Sequence, residues 1–189
     1  MKSKLIALSA ISSAFVAICL TLGAYIEFID LISVAIAALF TMLPLYYESK
    51  KGSLLSFLVG GVLAFILSGA NVYSLVFPAY FLYFGLIPLI NYVVTKTKFD
   101  KTIWFIIKLV WCVVICYFLL FYYTNIIGIP LEYTFELFGK SFDFSNYHNI
   151  YYYFLTAYGV ISIILYLVYD KFTEVMKLAI DRLLKRILR

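Results

Sequence analysis

Residues with chemical potential are few in this chain and sit in telling places. Its one histidine, His148, lies just before the last long apolar stretch, and Lys108 is the only charge near the interior of any such stretch. No Asp or Glu falls well inside an apolar run, so the intramembrane carboxylate of an ion-coupled pump is not expected. Cys112 and Cys116 are spaced i, i+4 and could share a metal on one helix face. Nearby His or carboxylate partners are lacking, so they read as small apolar filler, and neither a metal nor a cofactor is expected. All three cysteines, Cys19 included, lie in apolar runs, which gives no disulfide framework. H-E-x-x-H, a nucleophile elbow and a P-loop are all missing. The chain is therefore not read as an enzyme, and it carries no ATP site of its own.

The elements that position these residues follow from composition. Of 189 residues 65% are hydrophobic and 13% charged, against about 25% charged in soluble domains. That excludes a soluble enzyme, a secreted disulfide domain and a disordered protein. Six apolar stretches run roughly over 5–26, 31–47, 53–68, 72–94, 103–127 and 150–169. The first, at 1.5 Å per residue, reaches about 33 Å, enough for a hydrocarbon core of roughly 30 Å. Alternation of period two is lacking, so these stretches are expected as helices rather than barrel strands. The predicted fold is an all-α integral membrane protein, a six-helix transmembrane bundle over 1–170 followed by a basic amphipathic helix over 171–189. The first stretch resembles a signal peptide but runs on to Ile26, so it is read as a retained helix.

Charge sets the orientation. With the N-terminus cytoplasmic, fourteen of the fifteen Lys and Arg fall inside, leaving only Lys140 outside; the positive-inside rule then places both termini in the cytoplasm of a bacterial cell membrane. The net charge of +5 is thus a matter of topology and does not point to nucleic acid. The tail pairs Phe172, Met176, Ile180 and Leu183 with a basic face of Lys177, Arg182, Lys185, Arg186 and Arg189. Such a helix suits the anionic inner leaflet or a protein partner.

Two further patterns suggest function. Helix one repeats Ala7, Ala10, Ala14 and Ala17, with Ser9, Ser12 and Ser13 between. Ala10-x-x-x-Ala14 and Ser13-x-x-x-Ala17 are small-xxx-small pairs, which permit another helix to approach closely, either within this bundle or from a partner. On the outer side Glu27, Asn71, Tyr73, Asn125, Tyr147 and His148 stand among many aromatics. Aromatic walls with a few placed polar groups describe a small-molecule pocket; the alternative is an interfacial aromatic belt. Pro78 and Gly60-Gly61 mark points of kinking or of close packing.

The segment from Lys4 to Ala14, KLIALSAISSA, followed by the short outer turn Glu27–Asp30 in a six-helix chain with both ends inside, resembles the S-components of energy-coupling factor (ECF) transporters. The resemblance implies a membrane-embedded subunit that captures a small vitamin-like molecule from outside. It also implies partners: a transmembrane coupling subunit driven by two ATPase subunits, reached through the alanine surface of helix one. Ala10 and Ala14 would be the docking residues, extended by Ala7 and Ala17. The chief alternative is a non-transporting polytopic scaffold of cell-envelope machinery, for which the basic tail and alanine stripe would bind protein.

Overall fold

The computed structural model describes residues 2–97, 100–128, 134–137, 140–143 and 150–187; at residues 2, 27, 134–137, 140–143, 150 and 179–187 it describes the backbone alone. Among these, six helices are long and apolar enough to cross a bilayer: Ser3–Tyr25, Asp30–Tyr47, Lys50–Leu67, Val76–Thr95, Lys101–Ile126 and Tyr151–Leu178. They match the six apolar stretches of the sequence, and the chain is a multi-pass helical bundle. The last span runs nine residues past its expected end at Tyr169.

Helix α1 (Lys2–Tyr25) turns through Glu27–Ile29 into α2 (Asp30–Met42), where the Asp30 carboxylate accepts from Leu31 N at 2.7 Å. Pro44 lies in the tighter turn Leu43–Tyr47 that ends span two. Glu48 then adopts a left-handed conformation, and Ser49 caps α3 (Lys50–Leu67) by accepting from Gly52 N. The fourth span is broken into α4 (Val76–Ala79), a π turn over Tyr80–Phe84 and α5 (Ile87–Thr95). The interruption precedes Pro88, which has no N–H for the Phe84 carbonyl and whose ring crowds it; Pro78 sits in the first turn of α4, where a proline is tolerated. Asp100 caps α6 (Lys101–Phe121), which closes in a second π turn, Tyr122–Ile126. A short antiparallel hairpin pairs Thr134–Leu137 with Lys140–Asp143 in the following loop.

Helix α7 (Ile150–Ile187) is continuous for 38 residues, or about 57 Å. It runs unbroken through 170/171, where the sequence suggested a boundary between the bundle and a separate tail helix.

The core forms where α1, α2, α3 and the fourth span meet, around Val16, Leu20, Ala37, Phe57, Ala64 and Tyr80. Glycines permit the approach. A Cβ on Gly60 would lie 2.6 Å from Val16 Cβ, and one on Gly61 would lie 2.5 Å from Phe81 Cζ. Gly60-Gly61 is thus a packing site. Serine hydroxyls complete it by donating to carbonyls of neighbouring helices, Ser12 to Phe40, Ser53 to Thr41 (2.6 Å) and Ser56 to Ser9 (3.1 Å).

The last two spans are joined differently. Tyr117 donates to the Leu155 carbonyl (2.8 Å), Tyr158 to Cys116 (3.1 Å) and Tyr166 to Phe105 (3.2 Å). Over an apolar stretch of 18 residues in each, buried residues make up 17% and 11% in these two spans, against 33–50% in the other four.

Candidate functional site

The small residues of α1 are sorted by the fold. Ser9, Ser12, Ser13 and Val16 point into the bundle, and Ala17 joins them at 4% exposure. Ala7, Ala10 and Ala14 are exposed, among the outward-facing Ile6, Ile11, Phe15 and Ile18. Of the two small-xxx-small pairs, Ser13–Ala17 is therefore consumed in internal packing against α3, and Ala10–Ala14 is left on the outer surface. Ala17 is not on the exposed alanine surface with the other three: it stands only about 20° around the helix from Ala10, two turns further along, and it is covered by the bundle core at its own level.

At the distal end, away from the start of α1, the polar candidates sit on two neighbouring structures. Asn71 accepts from Tyr73 N at 3.0 Å and so shapes the turn after α3, where Tyr73 is 69% exposed. Asn125 lies in the π turn that closes the fifth span and donates to the Phe121 carbonyl (3.2 Å) and to Thr124 Oγ1 (2.8 Å). Tyr122 donates to the Val72 carbonyl at 2.6 Å, which ties these two structures together. Beside Asn125 a cavity of about 610 Å³ opens between the distal ends of α6 and α7, lined by Tyr117, Leu120, Phe121, Thr124, Asn125, Tyr151 and Leu155. Its walls are aromatic and aliphatic, with the polar Thr124 and Asn125, and carry no charge. The side chain of Glu27, together with Tyr147 and His148, lies outside the described residues.

The sequence reading missed one feature of the spans. Lys108 has a partner that the sequence did not disclose: its side chain is 8% exposed and its ammonium is paired with the Asp170 carboxylate of α7, 25% exposed. The Lys108 nitrogen also stands 5.9 Å from the centre of the Tyr166 ring. Asp170 directly follows the apolar run 150–169, and the helix carries on past it to Ile187. The expected end of the sixth stretch is its first charged residue, and a charge that is paired across a helix interface does not end the helix. One signal was available: in an antiparallel pair of helices, opposite charges at matched depth are candidates for pairing.

Cys112 and Cys116 are buried free thiols, with Cys112 Sγ 4.0 Å from the Ser162 carbonyl oxygen. Among the described residues no group of three His, Cys, Asp or Glu is arranged to hold a metal. Outside the spans, Lys96 bonds Glu48 at 2.9 Å and stands 4.8 Å over the Tyr92 ring. The bond from Lys96 holds the Glu48 carboxyl below its usual range, and Tyr92 with Glu48 raises the Lys96 ammonium.

The chain matches no protein-family model, no curated protein and no solved structure.

Proposed function

We propose that this chain is the substrate-capturing subunit of an ECF-type importer in a bacterial cell membrane, with both termini cytoplasmic. It captures a small molecule from the outer face and docks through α1 on a transmembrane coupling subunit driven by two ATPases. It is not itself an enzyme. The observation that carries this reading is the sorting of α1, whose Ser13–Ala17 pair is spent inside the bundle while Ala7, Ala10 and Ala14 remain outward. A helix that needed small residues only for its own bundle has no use for a second set on its outer side, and close approach by another helix is what such a set permits. The uncharged cavity between α6 and α7 supplies the place for a solute.

The test is Ala14→Trp and Ala10→Trp in protein purified gently from its own membrane and weighed by native mass spectrometry. The reading expects the parent to carry a coupling subunit and two ATPases, and each variant to lose them while remaining monodisperse and keeping any bound small mass. Unchanged partner content in both variants would remove the docking assignment.

A scaffold of cell-envelope machinery is the second reading, favoured by one observation. Helix α7 continues to Ile187 without a break, so the basic segment after 170 extends the last span as an arm. Co-purification of envelope proteins that is lost on truncation after Leu178, with no ATPase present, would favour it.

A further inference from the structure

Lys108 and Asp170 take no part in the proposed solute site, and their depth calls for a reason. Lys108 lies seven residues inside the start of α6. Asp170 lies seven residues before Lys177, whose carbonyl accepts from Tyr46 near the end of span two (3.2 Å). Each is therefore about 10 Å inside that end of the bundle. Lys108 is buried among the helices, and a buried charge left without its partner is costly.

The remaining contacts between α6 and α7 say what the pair does. Tyr117, Tyr158 and Tyr166 all donate to backbone carbonyls. Carbonyls recur along a helix, and a slide of one turn presents each hydroxyl with another. The aliphatic side chains of the two helices repeat in the same way. A lysine facing an aspartate does not repeat: beyond Lys101, Lys108 is the only charged residue of α6. One turn beyond Asp170 the other carboxylate of that stretch, Glu174, is held by Lys171 at 2.9 Å, so the competing partner is occupied.

We propose that the Lys108–Asp170 pair fixes the longitudinal register of α6 against α7, and with it the alignment of the distal residues that line the cavity. A single polar contact that sets register is the best-attested use of buried charge. The claim stands whether or not the importer reading is correct.

The two native thiols serve as a ruler. Ser162 of α7 has its side chain beside Cys116, and its carbonyl lies by Cys112, one turn away. In a Ser162→Cys background, oxidative cross-linking followed by peptide mapping should give Cys116 as the sole partner. Asp170→Leu alone leaves Lys108 unpaired, and the yield of folded protein should fall. Lys108→Met with Asp170→Leu restores the yield, because both positions are then apolar. In that double variant the Cys116 product should give way to linkage at Cys112 or to unlinked protein. Retention of Cys116 as the sole product in the double variant would overturn the proposal. Should the double variant fail to accumulate, the exchanged pair Lys108→Asp with Asp170→Lys decides: recovery with Cys116 as sole partner supports the lock, and failure to recover overturns it.

Discussion

Between α1 and α3 the backbones run so close that a methyl group added at Gly60 would meet Val16 Cβ at 2.6 Å and the Ser13 carbonyl at 3.0 Å. Between α6 and α7 tyrosines span the gap, and a methyl group at Gly159 would meet only the Tyr117 hydroxyl, at 2.7 Å. Both interfaces join helices where apolar surface is no driving force, since lipid is as apolar as leucine. The first uses shape. Glycines and serines at fixed places admit the partner in one position, and short hydroxyls bond across because the backbones are near. The second uses reach, in tyrosines and a charge pair, and leaves space between the helices at the distal end where the cavity lies. Close packing makes a rigid frame; spacing leaves an open cavity and hands the alignment of the helices to a few polar groups.

Substitutions at the two glycines should break that comparison most clearly if it is wrong. Gly60→Ala forces backbone and Val16 apart and is expected to destabilise the bundle by about 1–3 kcal/mol, the usual range for overpacking. Gly159→Ala displaces only the end of a side chain, and its cost should be near that of one intramembrane hydrogen bond, about 0.6 kcal/mol. Thermal unfolding of both variants in the same detergent measures the difference, and equal shifts in Tm would erase the distinction drawn here. Tyr158→Phe removes the bond to the Cys116 carbonyl without altering packing, and a loss of about 0.6 kcal/mol is expected. A loss several times larger would mean that the tyrosines carry more of the α6–α7 interface than the ion pair does.

The smallest effect belongs to Glu48 and Lys96, outside the spans. Lys96 holds the Glu48 carboxyl low, so the folded state favours the ionised carboxylate. Its contribution is therefore present above the ordinary glutamate range and is lost as pH falls through the folded value. Lys96 is raised, so its contribution is present below the ordinary lysine range and is lost as pH rises through the folded value. Both groups are exposed, and salt screens them. Glu48→Gln should lower Tm slightly near neutrality at low ionic strength, with the difference from the parent vanishing in acid and in high salt. A difference that grows in acid would reverse the sign and remove the assignment.

How far the sequence could be read is clearest on α1. Its apolar length makes it a span, and its small residues mark it as a helix others can approach. Which of those residues face in and which face out was not legible, because Ala10 and Ala17 lie within about 20° of each other on the helix and differ only in what covers them at their own level of the bundle. The contacts of Gly60 with Val16 and Ser13, of Ser12 with the Phe40 carbonyl and of Ser56 with the Ser9 carbonyl set the rotation of α1, and the fold then covers Ala17 and leaves Ala10 and Ala14 outside. Among the candidate polar residues, Asn71 and Asn125 were recognisable by type, but their placement in two turns joined by Tyr122 came from the fold.

Helix α7 shows the same division. The apolar run after Ile150 determined by itself that a sixth helix is present and long enough to cross a bilayer, since hydropathy is a sum over consecutive residues and needs no partner. Its end did not follow from that sum. Asp170 looks like a boundary when weighed alone and pairs with Lys108 inside a longer helix, and only the tertiary structure brings two residues 62 positions apart together. The cost of a charge in lipid depends on what stands beside it, and the linear sequence does not contain that neighbour.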